Sequence, residues 1–342
     1  MFIAVRNMKL LFIFFAILVL LVGSGAGLSL SSGRNPAIAS ASWTEYGSNP
    51  RFSDGAWTYG FYDGSTYHFM YDYVVSAKYV IGHATASSPT GAWTKDTANN
   101  PVLSCGGGGT WDAANIYVSD FWLEGGTWYM IYLGYDAAYN GKLGLATASS
   151  ASGPWTKSGS NPVLTGSYSW EMCSSLSSLD IGMILKAGST YYIYYSTGLN
   201  DDGDRCIGVA TSTNLISWTK QYTTTSLFKA GRYAPGCLKY GDFYYMTVSC
   251  YGSGVDYSYI ELWRSLSPLF TNPELIRICH PAKTAAWQAQ DQEEMTPITS
   301  AITRDAFPGN VLYTVFAGCS ATGVWTTGVT QDNDIAAAVA MV

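Results

Sequence analysis

Charged residues are scarce in this chain, and basic residues are the scarcer kind. Only 12% of the 342 residues are charged, with 18 Lys and Arg against 24 Asp and Glu. A protein that binds nucleic acid needs a basic surface to neutralise phosphate groups. Nucleic acid is therefore not an expected partner.

The common motifs of metal sites and of nucleophilic enzymes are also missing. The three histidines form no H-E-x-x-H and the seven cysteines form no C-x-x-C pair, so a zinc site is not expected. There is no G-x-S-x-G motif, and no G-K-[ST] follows the glycines at 106–109. No cofactor is expected. The sequence neither indicates nor excludes a calcium ion at the centre of the fold.

A long apolar run occurs only near the N-terminus. Arg6 and Lys9 precede or flank apolar residues from Leu10 to Val22, and small residues follow at 23–27. A run of about 13 residues is short for a membrane span, which needs roughly 20, and is typical of a secretory signal peptide. The alternative, an uncleaved membrane anchor, is disfavoured by this length. We therefore expect residues 1–27 to be removed and the protein to be extracellular or periplasmic, without a membrane partner.

The expected mature chain, residues 28–342, carries 16 Lys and Arg against 24 Asp and Glu, a net charge of −8. All seven cysteines lie in it, where an oxidising compartment permits disulfides, and their odd number leaves at least one unpaired. Large all-β folds of this length can form one domain, and a single domain is expected. The oligomeric state is not indicated.

A repeat is the strongest signal in the sequence. Its first element is an aromatic run that occurs five times: YHFMYDY (67–73), WYMIYLG (128–134), YYIYYST (191–197), FYYMTVS (243–249) and VLYTVFA (311–317). The second is IGHATA, LGLATA, IGVATS and the looser IELWRS, and the third is W-T-K, twice followed by N-P-V-L. Aromatic and β-branched runs bounded by Gly, Pro and Asn predict strands.

Repeated four-stranded units predict an all-β fold, a five-bladed β-propeller. Its blades are expected at about 51–104, 105–165, 166–230, 231–279 and 280–342 plus 38–50. Residues 334–340 have the pattern of the IGHATA strand, but no W-T-K strand follows them. The segment 43–50 matches 155–162 at six of eight positions, so the N-terminal strand is expected to complete the last blade and close the ring.

This order of strands resembles the five-bladed propellers of glycoside hydrolase family 43 and the related arabinanase, xylosidase and family 32 invertase-like enzymes. The resemblance is clear over residues 43 to about 265 and weak in the last blade. It implies a carbohydrate substrate, with arabinose- or xylose-containing chains as candidates. The N-D-P-N-G and R-D-P boxes of invertases are absent, which disfavours sucrose and fructans.

The resemblance also implies three carboxylates on or near the first strands of the first three blades. Asp120 fits the register of the second, and Asp180 fits the third, where the family usually has Glu. Glu171 is the alternative third acid, because the invertase-like branch carries Glu before Cys there. The first position falls near Trp57, and the nearest carboxylate is Asp54.

Glycosidic cleavage needs one protonated carboxyl group and one ionised carboxylate, and a neighbouring like charge keeps the acid protonated. The usual outcome in the family is inversion, which implies carboxyl groups about 6.5–9.5 Å apart. Most aromatic residues belong to the repeat and are expected to pack the blades. The residues expected to bind substrate are Trp57, Trp111, Asp112, Trp122, Trp170, Arg232 and Glu294.

Three functions agree with these observations. The leading one is a secreted glycoside hydrolase that uses axial carboxylates. The second is a carbohydrate-binding propeller without catalysis, favoured by the displaced first acid and the shortened third acid. The third, a glycoside phosphorylase, requires a basic phosphate site, for which Arg232, Lys239 and His280 are candidates.

Overall fold

Antiparallel strands account for most of the described chain, and the repeated sequence elements form them. The computed structural model describes residues 44–45, 55–173, 176–197, 205–228, 231–251, 258–279, 291–319 and 325–332, all within the unit Ser40–Val342. The predicted signal peptide, 1–27, lies outside these residues. None of the described helices has the length and apolar character needed to span a bilayer.

The strands form five larger sheets, numbered I to V here. The first strand, β1 (Thr44–Glu45), belongs to sheet V. Sheet I contains β2 (Ala56–Tyr62), β3 (Tyr67–Val75), β4 (Lys78–Ala86) and β5 (Thr94–Lys95). Sheet II contains β6 (Asn115–Glu124), β7 (Thr127–Tyr135), β8 (Gly141–Ala148), β9 (Thr156–Lys157) and β10 (Leu164–Thr165).

A short 3₁₀ helix (Ser169–Glu171) and a two-stranded sheet, β11 (Met172–Cys173) and β12 (Leu176–Ser177), follow. Sheet III contains β13 (Leu179–Ala187), β14 (Thr190–Thr197), β15 (Cys206–Ser212) and β16 (Thr219–Lys220). Sheet IV contains β17 (Arg232–Tyr240), β18 (Phe243–Tyr251), β19 (Ser258–Ser265) and β20 (Glu274–Cys279). Sheet V contains β21 (Asp291–Pro297), β22 (Leu312–Cys319), β23 (Trp325–Asp332) and β1; a second 3₁₀ helix (Pro308–Asn310) precedes β22.

The first strands of the sheets lie side by side. Strand β2 contacts β6 and β21, β6 contacts β13, and β17 contacts both β13 and β21. Aromatic rings fill the space between neighbouring sheets: Phe61 of sheet I lies edge-on 5.7 Å from Trp128 of sheet II. Sheets of antiparallel strands packed face to face around their first strands form an all-β propeller.

Close packing explains the glycine in each I-G-x-A-T motif. A Cβ atom on Gly144 would lie 2.7 Å from the Tyr132 ring and 2.8 Å from Trp111, and one on Gly208 would lie 2.5 Å from Tyr195. Each ring crosses the neighbouring strand where only a hydrogen atom leaves room. The repeated Gly is therefore a packing residue.

The asparagine of each N-P-V-L motif ties a loop to a sheet. The side chain of Asn161 accepts a hydrogen bond from the Leu145 N–H, donates one to the Leu145 carbonyl, and donates another to the Tyr132 hydroxyl. Asn100 makes the same three bonds in sheet I, to both backbone groups of His83 and to the Tyr71 hydroxyl. An Asn that satisfies two backbone groups at once stabilises the edge of the sheet.

The N-terminal strand pairs with the last sheet, but the strand that it meets differs from the prediction. Thr44 lies opposite Gln331 and Glu45 opposite Thr330, so β1 is the outer neighbour of β23. The prediction that residues 334–340 form the third strand of this sheet is wrong, because β23 (Trp325–Asp332) occupies that position. Residues 334–340 lie outside the described part of the chain.

Disulfides are absent among the cysteines whose side chains are described. Cys105, Cys237 and Cys250 are free thiols. Cys237 and Cys250 are buried, and burial raises the pKa of the Cys250 thiol to about 12. These thiols act as small apolar packing residues.

Candidate active site

The first strand of each of the sheets I to V is interrupted by a register shift. The shifts lie between Ala56 and Tyr59, Val118 and Asp120, Leu179 and Gly182, Tyr233 and Gly236, and Glu293 and Thr296. A β-bulge re-aims the side chains of the residues it contains. Trp57 lies in the first of these bulges with a positive φ of 44°, and Asp180 lies in the third.

A cavity of about 280 Å³ opens beside the bulges that contain Trp57 and Asp180, between sheets I, II and III. Its aromatic wall consists of Trp57, Tyr117, Tyr135 and Tyr139. Tyr117 lies edge-on to Trp57, with ring centroids 5.9 Å apart. Tyr139 is 60% exposed at the rim. Aromatic walls with a few polar groups are typical of sites for small organic ligands.

Asp180 and Arg205 form one polar side of the cavity. The Asp180 Oδ1 atom accepts a hydrogen bond of 2.8 Å from the Ile181 N–H, and Oδ2 lies 3.6 Å from the Arg205 guanidinium. The guanidinium stacks over the Tyr233 ring at 4.5 Å, which holds it in place from sheet IV. Both side chains are 19% exposed, so both can be reached from the cavity.

Asp72 contributes a second carboxyl group to the cavity wall, from strand β3. Its Oδ1 atom accepts a hydrogen bond of 2.8 Å from the Val118 N–H on sheet II. Its Oδ2 atom is buried and has no hydrogen-bond partner among the residues that the structure describes. Burial raises the pKa of Asp72 well above its usual range, and the single N–H bond opposes this only in part. Burial also raises the pKa of Tyr117.

Asp112 and Glu171 lie in equivalent positions of sheets II and III. The charge of each is compensated, and its oxygens are hydrogen-bonded, by residues of the same sheet. The Lys157 ammonium lies 2.6 Å from Asp112, which also accepts a bond from the Tyr132 hydroxyl. Lys220 lies 2.5 Å from Glu171, and the Tyr195 hydroxyl donates to it at 2.6 Å.

Neither Asp112 nor Glu171 lines the described cavity. Glu171 is completely buried and also accepts hydrogen bonds from the N–H groups of Ser167 and Tyr168. With its charge and lone pairs satisfied, it has no group left to offer a substrate. These contacts favour a structural role for the repeated W-D and W-E pairs.

Asp120 is buried and does not line the cavity. The fully buried Arg304 guanidinium donates to Asp120 Oδ2, to the Ile184 carbonyl and to the Thr299 hydroxyl. The Ile184 N–H donates to the same Asp120 oxygen at 2.8 Å. This buried ion pair joins sheets II, III and V.

The other predicted site residues pack within the sheets, form an ion pair or lie outside the residues that the structure describes. Trp170 stacks on Tyr195 and the buried Trp122 on Tyr129, whereas the Trp111 ring packs against Tyr132 at a tilt of 31°. Arg232 makes two hydrogen bonds to Glu261, of 2.7 and 2.9 Å. Asp54 and His280 lie outside the described residues, and so does the side chain of Glu294.

The structure thus brings together Trp57 and Asp180 of the predicted residues and adds Asp72, Tyr117 and Arg205. Asp72 could have been found in the repeat, since the equivalent residues of the next two aromatic runs are Leu133 and Ser196. An acid that occurs in one copy only serves something that the other copies lack. The acid after Trp111 or Trp170, by contrast, recurs from blade to blade, as a scaffold residue does.

Comparisons with known proteins agree on the fold. Neither family models nor curated proteins give a match. Among solved structures, the catalytic domain of a Coprinopsis cinerea GH62 α-L-arabinofuranosidase is similar over 86% of this chain and 98% of its own, with a TM-score of 0.62 and 13% identity. A family 117 glycoside hydrolase of Zobellia galactanivorans covers 85% and 89%, with a TM-score of 0.62 and 12% identity.

A thermostable family 43 glycoside hydrolase is similar over 84% of this chain and 92% of its own, with a TM-score of 0.58 and 13% identity. At such identities the similarity establishes the propeller fold that these glycoside hydrolases share. Function has to be argued from the site.

Proposed function

We propose that this protein is a glycoside hydrolase whose reaction takes place in the cavity between sheets I, II and III. The observation that carries the proposal is the placement of Asp180 beside Arg205, facing four aromatic rings in one cavity. Aromatic rings offer apolar faces to a sugar, and the carboxylate supplies the base that hydrolysis requires. The substrate is proposed to be a glycan, with arabinose- and xylose-containing chains tested first.

Asp180 is proposed to act as the general base. Its pairing with Arg205 gives the carboxylate a cationic neighbour, and its exposure leaves room for a water molecule. A base in this position removes a proton from water as the water oxygen attacks the anomeric carbon. The bulge that contains Asp180 directs its side chain toward the cavity.

We further propose that the propeller has five blades, at the boundaries predicted from the sequence, with β1 completing the last. Two observations support this. Each of the sheets I to V contains a strand from one copy of the aromatic run. The contacts of the first strands also pass from β2 through β6, β13, β17 and β21 back to β2.

The proposal is tested by incubating the protein with a panel of plant and microbial polysaccharides, oligosaccharides and aryl glycosides. Asp180→Asn should lower kcat on the cleaved substrate by about 10²–10⁴-fold, because the amide cannot accept the proton. Glu274→Gln is the matched control: Glu274 is 62% exposed, pairs with Arg264 and does not line the cavity, so activity should be unchanged.

The alternative functions give different results in the same experiment. Glycan binding without product release would indicate a carbohydrate-binding propeller. Cleavage that requires inorganic phosphate and yields a sugar phosphate would indicate a phosphorylase. If no member of the panel is bound or cleaved, or if the Asp180→Asn variant retains full activity while folded, the proposed hydrolase is wrong.

A further inference from the structure

We infer that Asp72 is the proton donor of the cavity, a neutral carboxyl group that gives the hydrogen on Oδ2 to a bound glycan. The inference rests on the proposed function. It adds a residue that the resemblance to glycoside hydrolases did not place in the site. Asp72 is located on the second strand of sheet I, not on a first strand, where the acids predicted from the resemblance were placed.

The hydrogen-bond pattern of Asp72 fixes which oxygen carries the proton. Oδ1 accepts the Val118 N–H, so it acts as the carbonyl oxygen of the acid. Oδ2 is then the hydroxyl oxygen, and it has no acceptor in the described part of the protein. Because Asp72 lines the cavity, a ligand in the cavity is the acceptor that this hydroxyl lacks.

The surroundings of Asp72 keep the acid neutral. It is 1% exposed, and the titratable or charged groups that share its cavity are Tyr117, Tyr135, Tyr139, Asp180 and Arg205. Arg205 is paired with Asp180 at 3.6 Å, and the described structure gives Asp72 no ion pair. A buried carboxyl group without a cationic partner holds its proton.

Asp72 and Asp180 together supply both proton transfers of a hydrolysis. The Oδ2 hydrogen of Asp72 moves to the glycosidic oxygen while the bond from that oxygen to the anomeric carbon breaks, and the bonding electrons stay on the leaving oxygen. Asp180 takes a proton from water, whose oxygen forms the new bond to the anomeric carbon. Asp180 then releases its proton to solvent and Asp72 regains one, so the net reaction consumes one water molecule.

Substrates with different leaving groups test this role. Asp72→Asn keeps the Oδ1 acceptor for Val118 but has no acidic proton. Its kcat should fall by about 10²–10⁴-fold on a glycan with an alcohol leaving group, and by about tenfold or less on the nitrophenyl glycoside of the same sugar, which leaves without protonation. Equal losses on both substrates, or no loss on the glycan, would overturn the assignment.

Ser196→Ala is the matched control for the structural part of the role. The Ser196 hydroxyl accepts the Ala234 N–H at 2.7 Å across the next pair of sheets, as Asp72 accepts Val118, but Ser196 does not line the cavity. This variant should lower stability and affect both substrates equally. The difference between the two variants therefore measures the proton donation alone.

A second measurement separates this inference from the proposed function. The infrared carbonyl band of a protonated carboxylic acid should be present at pH 7 in the wild type and missing from Asp72→Asn. Its absence from the wild type would overturn the inference even if glycans are cleaved and Asp180 is essential. Its presence in a protein that cleaves no glycan would refute the hydrolase and with it the catalytic donor, leaving only a neutral hydrogen-bond donor.

Discussion

At the scale of single residues, the position of an acid in the fold decides what it can do. Asp112 and Glu171 each have a lysine within 2.6 Å and a tyrosine hydroxyl, so their charges are already compensated. Among the described residues, Asp72 has one N–H donor and no cation, and burial raises its pKa. Asp180 is partly exposed beside Arg205. The same carboxyl group thus compensates a lysine at Asp112 and Glu171, and in our proposal it acts as an acid at Asp72 and as a base at Asp180.

The raised pKa of Asp72 predicts how stability depends on pH. The folded protein keeps a proton that the unfolded chain loses above pH about 4, so the free energy of unfolding falls as pH rises, by up to about 1.4 kcal/mol per pH unit. Asp72→Asn removes this pH-dependent contribution to the free energy of unfolding. Denaturant unfolding between pH 4 and 8 should therefore show the variant gaining stability relative to wild type as pH increases.

Ser196→Ala provides the comparison for this series, because it removes a bond between sheets without a titratable group. Its stability difference from wild type should not change with pH. A pH-independent difference for Asp72→Asn as well would mean that Asp72 does not hold its proton in the folded state.

At the scale of the structural element, sheets II and III each contain a buried acid that is bound by a lysine and a tyrosine of the same sheet. In sheet III, the lysine of the W-T-K strand and the tyrosine of the aromatic run meet the buried Glu171, and Trp170 stacks on Tyr195. Sheet II repeats this with Lys157, Tyr132 and Asp112. The loop before each of these first strands is thereby tied to the outer strand of its sheet.

Glu171→Ala should consequently act on folding and not on chemistry. Removal of one partner leaves Lys220 as a buried cation without its counter-ion, which costs about 3–5 kcal/mol. We expect a lower denaturant midpoint and an unchanged kcat per folded molecule. Glu274→Gln, at an exposed ion pair, should cost less than about 1 kcal/mol. A large loss of kcat in folded Glu171→Ala would instead make Glu171 a catalytic acid.

At the scale of the whole molecule, the buried Arg304 joins three sheets. Its guanidinium contacts Asp120 of sheet II, the Ile184 carbonyl of sheet III and Thr299 on the segment after β21. Backbone bonds from Lys186 and Lys239 to Ile302 and Arg304 add sheets III and IV to the same junction. A single side chain in the centre therefore links elements distant in sequence.

Breaking the Asp120–Arg304 pair should destabilise the whole molecule. Asp120→Leu leaves a buried guanidinium uncompensated and should cost about 3–5 kcal/mol. The double variant Asp120→Leu with Arg304→Met should lose less than the sum of the single variants Asp120→Leu and Arg304→Met. Urea unfolding of the four proteins measures the coupling. Additive losses would show that the two side chains do not act as a pair.

The sequence by itself determined the propeller-type strands, their order and the packing role of the repeat, because periodic aromatic runs can form only elements that stack on copies of themselves. It also predicted Trp57 and Asp180 as site residues, and both line the cavity between sheets I, II and III. The third strand of sheet V was predicted at residues 334–340, whose sequence resembles the repeated motif more closely than that of residues 325–332 does. The strand is in fact formed by Trp325–Asp332. Only the tertiary structure decided which acids lie close together. Whether an acid is buried, contacts a lysine or lines the cavity depends on the neighbouring sheets. The residues of these sheets lie tens of residues away in the chain.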